Sequence, residues 1–273
     1  MAAGRIHVGV GGWSFAPWRG VFYPQDLPHA HELEYASRRL TSIEINATFY
    51  RTQKRETFLR WRDATPDGFV FSVKAPRYAV TRRSVQEARD AIRRFFESGV
   101  AALGKKLGPV LWQFPPSRTF DPDFFDGFLA ALPREAESVA LRHAIEVRNE
   151  SFKTSAFVAL ARAHRIAIVI AGDSDFPLIA DLTAPFVYAR IMGTQANRRA
   201  GYDAARLDVW ANRAQAWAAG GAPEELPRLS PNTPRRAARD VFLYVIRGAK
   251  ARNPAAAMAL IERLPLATAI RRG

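Results

Sequence analysis

Apolar residues recur along this chain in short, nearly unbroken runs, separated by longer stretches with helical spacing. The runs are IHVGVG (6–11), TSIEIN (41–46), FVFSVK (69–74), PVLWQF (109–114), HAIEVR (143–148), IAIVIAG (166–172), FVYARIM (186–192) and VFLYVI (241–246). Between them, 29–40, 54–64, 84–102, 121–131, 154–164, 203–218 and 254–264 carry apolar residues at the spacing of one helix face. Strand-length runs alternating with helices make βαβ units and a parallel sheet. Near-continuous apolar strands are those covered on both faces. Eight such units predict an α/β fold, a (β/α)8 TIM-type barrel occupying 1–273 as a single domain. The stretch 174–185 is short and helix-poor. The Gly/Pro/Arg-rich segment 220–239 reads as a loop from the seventh helix to the eighth strand, long enough to be either mobile or a small local structure. Asp121-Pro122 and Asn253-Pro254 each predict a helix start with a cap and a proline in the first turn, and Thr154 a further cap.

Successive residues of a barrel strand face the helix layer and the interior in turn, and the helix-facing set is the more apolar. That rule sends Ile43, Ile45, Phe71, Val73, Ile145 and Val147 outward. It sends inward Glu44 and Asn46, Ser72 and Lys74, Leu111 and Gln113, Glu146 and Arg148, and Val169, Ala171 and Asp173. Arg190 is the polar member of the seventh run, and Gly9 and Gly11 face inward on the first, leaving space. The polar members gather at the C-terminal ends of the strands, where barrel enzymes hold their sites. As a purely structural plug of ion pairs they would recover their desolvation cost poorly. A functional floor is therefore the favoured reading.

Glu44 and Glu146 are candidates for an acid/base pair of the kind used in glycoside hydrolysis. Lys74 is a third catalytic candidate. A Schiff-base role needs a lowered pKa, and neighbouring glutamates would raise it. Asn46, Tyr50, Arg51, Gln113, Arg148, Asp173 and Arg190 are expected to bind substrate. Trp13 and Tyr23 come from the aromatic segment after the first strand, and rings around a polar floor suit sugars or bases. Barrels often hold a phosphate after strands seven and eight. There Arg198, Arg247 and Lys250 stand near the Asn253-Pro254 helix start, the ingredients of an anion site. GVGGWS has the outline of a dinucleotide-binding turn, but Ser14 stands where its third glycine belongs.

Composition narrows the chemistry. The 273 residues include no cysteine, which removes disulfides, thiol nucleophiles and thiolate metal sites. The five histidines sit at strand starts (His7, His143) or on helices and their approaches (His29, His31, His164), so no metal site and no cofactor is expected, a lone Mg²⁺ on Glu44, Glu146 or Asp173 being the arrangement left open. The net charge of +14 attracts polyanions and makes nucleic acid a candidate partner. Many of the arginines, however, fall in pairs within helical segments, where charges form solvated faces. No run reaches membrane-spanning length and MAAGRIHVGV lacks the pattern of a signal peptide, so no membrane partner and a cytoplasmic location are expected. The expected function is an enzyme or binding protein for a small anionic or sugar-like ligand. A nucleic-acid-processing protein and a scaffold without chemistry are the alternatives.

The stretches VGVGGWSFAPWRGVFYP (8–24), SIEINATFYR (42–51), GFVFSVKAPRY (68–78), GPVLWQFPP (108–116), AIEVRNESF (144–152) and FVYARIMG (186–193) together resemble the YecE-like family over nearly the whole chain. The resemblance implies a TIM barrel and makes Glu44, Asn46, Tyr50, Arg51, Lys74, Gln113, Glu146 and Arg148 family-typical. It implies no particular reaction. Two positions depart from the family pattern. Asn149 stands where members commonly have a histidine, and Tyr244-Val245-Ile246-Arg247-Gly248 replaces an aromatic residue followed by asparagines.

Overall fold

The structure is a computed structural model and describes residues 3–231 and 236–265. Eight strand positions follow in order: β1 (Ile6–Gly11), β2 (Ser42–Ile45), β3 (Val70–Lys74), β4 (Leu107–Gln113), β5 (His143–Glu146), β6 (Ala167–Ile168 and Ile170–Gly172), β7 (Phe186–Ile191) and β8 (Asp240–Val245). All pair in parallel with their neighbours, and β8 returns to β1. The two pieces of β6 close the circle: Ala167–Ile168 pairs with β5, whereas Ile170–Gly172 pairs with β7. The expected TIM barrel is therefore the fold.

The α-helices are α1 (Glu32–Ser37), α2 (Ala47–Tyr50), α3 (Arg55–Asp63), α4 (Arg77–Val80), α5 (Val85–Glu97), α6 (Pro122–Ala130), α7 (Ser155–Ala163), α8 (Ala204–Ala218) and α9 (Asn253–Ile261). Their starts have local causes. Ser84 and Glu87 form a capping box on α5, Asp121 accepts from the amides of Asp123 and Phe124, and Thr154 accepts from Phe157. The Asn253 expectation needs correction. A 3-10 turn (Lys250–Arg252) precedes α9, Asn253 makes no side-chain cap, and its Oδ1 instead accepts the Thr194 hydroxyl at 2.8 Å. Helical spacing did not register α2 and α4, because single turns are too short to show a period. A two-residue hairpin (Glu135–Ala136 with Val139–Ala140) was likewise not expected.

No helix lies between β6 and β7, and part of the 220–239 segment covers that gap. The Ala180 amide donates to Pro227 O, and the buried Asp181 carboxylate accepts from the amides of Leu229 and Ser230 at 2.7 and 3.0 Å. Leu226 is buried in the outer core. Residues 221–231 thus form a small packed structure, while 232–235 lie outside the described residues.

The alternation of faces holds. The outer core, between strands and helices, contains Ile43, Ile45, Phe71, Val73, Ile145 and Val147. The barrel interior is a separate cluster that includes Val70, Leu111, Ala144, Val169, Phe186, Tyr188, Phe242 and Tyr244. At its lower end His7 stacks on Phe242. Above them the Tyr244 hydroxyl lies 2.6 Å from both Ser42 Oγ and Ser72 Oγ. Gly9 and Gly11 leave no room. A Cβ at Gly9 would meet Ser42 O at 1.9 Å, and one at Gly11 would meet Asn46 Nδ2 at 2.7 Å and Ile246 Cδ1 at 2.9 Å. These glycines serve close packing of β1 against its neighbours, not an open space.

Candidate active site at the barrel mouth

The C-terminal end of the barrel is charged because β2, β4, β5 and β7 each carry an inward polar residue at their last or next-to-last position. Parallel register places Gln113 beside Glu146. The Arg190 guanidinium, on β7, reaches across to both glutamates. Its Nη2 donates to Glu44 Oε1 at 3.1 Å, and its Nη1 donates to Glu146 Oε2 and, at 3.4 Å, to Gln113 Oε1. Arg148 completes the network, with Nε donating to Glu146 Oε1 at 2.6 Å and Nη2 to Gln113 Oε1 at 2.9 Å. The Tyr188 hydroxyl donates to the second oxygen of Glu44 at 2.7 Å. Glu44, Glu146 and Arg190 are buried, and the Nε of Arg190 has no hydrogen-bond partner.

This network sets the charge states. Burial alone would push the Glu146 carboxyl up, but the Arg190 and Arg148 guanidiniums outweigh it and hold the group below the usual carboxylate range. Burial and the Glu44 charge push the Tyr188 phenol well up, so it stays a donor. Two carboxylates face two guanidiniums, and their charges cancel.

Lys74 stands outside that balance. It ends β3 inside the barrel, is 7% exposed, and makes no hydrogen bond or ion pair among the described residues. Its Nζ lies 3.9 Å from the centroid of the Phe49 ring. Burial, then Arg190, lowers its pKa from 10.5 to about 8, although Glu44 and Glu146 push the other way and Arg148 adds to the lowering. The neighbouring glutamates do raise this pKa, as expected, but burial outweighs them.

The remaining candidates divide. Asn46 is half-buried beside Gly11, at the mouth. Tyr50 is 81% exposed and Arg51 is exposed, and Phe49, passed over by the sequence reading, is the residue of that turn that folds over Lys74. Trp13 packs edge-on against Trp61. Tyr23 does not line the rim: it is buried and donates to Trp13 O at 2.6 Å. Asp173 also leaves the floor. Its backbone is left-handed (φ 53°), and its carboxylate binds Arg206 and, at 2.7 Å, the Trp210 indole. It stands between two clefts, one of about 470 Å³ with Tyr202, Gly193 and Gln195 and the other shared with Arg247.

The expected anion trio is not assembled in one place either. Arg247, at φ 61°, lies over Phe176, whose ring also meets Arg148 at 4.2 Å, whereas Lys250 lies over Phe15 and Arg198 is exposed on its loop. Arg247 borders a cleft of about 460 Å³ with Asp173, Asp175, Phe176, Met192 and Gly248. Asn149, at the position of the family histidine, caps a short turn by accepting from the Ser151 amide and donating to Pro116 O. Tyr188 was legible in principle, since it lies two residues before Arg190 and so shares its face. Among the described residues no three His, Cys, Asp or Glu side chains are grouped to hold a metal ion, and no helix is long and apolar enough to cross a membrane.

Comparison with known proteins agrees with the fold. A structure of a DUF72 family protein from Thermotoga maritima superposes with a TM-score of 0.72 at 20% identity, covering 94% of this chain and 98% of that one. Another, from Enterococcus faecalis, gives 0.71 at 17% identity, covering 95% of each. The UPF0759 protein YecE of Escherichia coli (strain K12) is 28% identical over 150 residues, 54% of this chain and 50% of that protein. The UPF0759 protein YunF of Bacillus subtilis (strain 168) is 28% identical over 116 residues, 41% of this chain and 40% of that protein. The matches thus span half or less of these curated relatives. Residues 7–271 match the family described as "Protein of unknown function DUF72", and the chain belongs to that family, the one to which its YecE-like stretches pointed.

Proposed function

We propose that the barrel mouth binds a small anionic substrate and that Lys74 is its acid/base group. The observation that carries this is the state of Lys74: a buried amine at the C-terminal end of a barrel strand, without hydrogen bond or ion pair among the described residues, beside carboxylates already neutralised by Arg190 and Arg148. An anionic group would balance its charge and that of Arg247, which forms no ion pair among the described residues although Asp173 and Asp175 border the same cleft. A group titrating near 8 can give and take protons at neutral pH.

Hydrolysis by a Glu44/Glu146 pair has less support. Glu146 is held ionised by its arginines and is a poor proton donor. Nucleic-acid binding rests on net charge, and exposed Arg38, Arg55 and Arg93 and half-buried Arg62 pair with carboxylates.

A thermal-shift screen with small carboxylates, phosphate esters and neutral sugars tests the proposal. Anions are expected to stabilise the wild type, and the shift to shrink in Lys74→Met and Arg148→Gln. Stabilisation by neutral sugars alone, or shifts unchanged in both variants, would overturn it.

A further inference from the structure

Basic residues in this chain are overwhelmingly arginine. Of 40, six are lysines (Lys54, Lys74, Lys105, Lys106, Lys153 and Lys250) and 34 are arginines. Lys54, Lys105 and Lys250 are exposed, Lys106 is tied to Arg62 O and Thr65 O, and Lys153 pairs with Glu150. Lys74 alone is buried. If the mouth needed only a fixed positive charge, arginine would supply it more reliably, as it does at positions 148 and 190. What lysine offers and arginine does not is a lone pair on nitrogen once a proton is lost.

The surroundings favour that loss. The amine is shielded from water, forms no ion pair among the described residues, and has Arg190 and Arg148 near enough to oppose a further positive charge, which outweighs the attraction of the Phe49 ring for the ammonium. A group titrating near 8 in place of 10.5 is unprotonated on the order of a hundredfold more often at pH 7. As a nucleophile Lys74 is well placed.

From this placement, and resting on the proposed anion site, we infer that Lys74 forms an imine with the carbonyl carbon of a small oxo acid or phosphorylated carbonyl compound. The lone pair of Nζ forms the C–N bond while the carbonyl π pair moves to oxygen. That oxygen takes one N–H proton to give the carbinolamine. Loss of the hydroxyl with the second N–H proton, as water, leaves C=N. Nothing is oxidised or reduced, and no co-reactant is required. The anionic group of the substrate meets the Arg148 and Arg247 side of the mouth, where both guanidiniums lie against Phe176.

The test uses the full chain with glyoxylate, the smallest oxo acid, and sodium borohydride, which fixes an imine as a stable secondary amine. Intact mass and peptide mapping read the adduct. Lys74 is expected to carry at least about tenfold more adduct than the exposed Lys54, which lies outside the barrel mouth. Lys74→Arg offers no free amine to attack the carbonyl and should abolish that adduct, while binding of glycolate, which carries no carbonyl, is read on the wild type. Adduct on Lys74 no greater than on Lys54 overturns the imine. If glycolate still stabilises the wild type in that case, the anion site stands without the covalent step. If neither glyoxylate nor glycolate has an effect, both readings fail together.

Discussion

Lys74 and Phe49 face each other at 3.9 Å across the barrel mouth, and the pairing brings two strand ends into one site. Phe49 is carried there by α2, a single turn leaving β2. Thr48 of the same turn donates its hydroxyl to Lys74 O at 2.6 Å, which pins the turn to the end of β3. The ring covers the ammonium without neutralising it.

Stability should therefore depend on pH through Lys74. Its pKa falls from 10.5 unfolded to about 8 folded under burial and Arg190, with Arg148 adding and Glu44 and Glu146 opposing. Below pH 8 both states hold the proton and folding carries the full cost, roughly 3 kcal/mol at most. Between pH 8 and 10.5 the unfolded chain binds more protons than the folded one, so stability rises with pH. Lys74→Met should be more stable than wild type at pH 7, and its advantage should vanish by about pH 10.5. Urea midpoints measured across this range check both statements.

The period-two rule assigned the inward set correctly at Glu44, Lys74, Gln113, Glu146 and Arg148, because the helix-facing residues between them are strongly apolar. It went astray at Asp173, which lies past the end of β6. There a left-handed backbone turns the side chain toward α8, and strand alternation no longer applies. Tyr23 failed for another reason. An aromatic in a loop looks the same in sequence whether it lines a rim or packs beneath one, and the hydrogen bond to Trp13 O decides for packing. The lowered pKa of Lys74 was not legible, since burial is its largest cause and depends on how Phe49 and the strand ends close over the amine.

Arg190 should be the costliest single residue of the mouth to remove. Arg190→Met leaves Glu44 with only the Tyr188 hydroxyl and Glu146 with only Arg148, both inside the barrel. Breaking a buried ion pair by removing one partner typically costs about 3–5 kcal/mol. Replacing Glu44 with Gln in the Arg190→Met background should recover part of that loss. Chemical denaturation of the two variants reads the difference.

At the opposite end of the barrel, His143 is a neutral, fully bonded imidazole. Its Nδ1 accepts from the Trp112 indole at 3.1 Å, and its Nε2, 2.6 Å from Pro133 O, carries the proton. Burial lowers its pKa to about 4. Above pH 6.5 neither state is protonated and the fold has its full stability. Between 6.5 and 4 the unfolded chain takes up the proton and the folded one does not, so stability falls by up to roughly 3 kcal/mol. His7, also lowered to about 4 by burial, adds a parallel loss. A His143→Gln variant should show a shallower decline in thermal midpoint over that window, whatever its stability at pH 7.

Asp181 tests whether the segment after α8 stands in for the absent helix between β6 and β7. Its buried carboxylate accepts from the amides of Leu229 and Ser230, and the Arg162 guanidinium lies 4.0 Å away. Asp181→Ala leaves two amides unsatisfied and should cost about 1–3 kcal/mol for each that stays dry. Asp181→Asn keeps one acceptor and should lose less. The loss should also be local: amide hydrogen exchange is expected to speed up at Ala180, Leu229 and Ser230 and to stay slow in β2 and β3, on the far side of the barrel. Equal acceleration in β2 would mean that the segment is part of the global core, and no change at Leu229 would mean that Asp181 does not hold it.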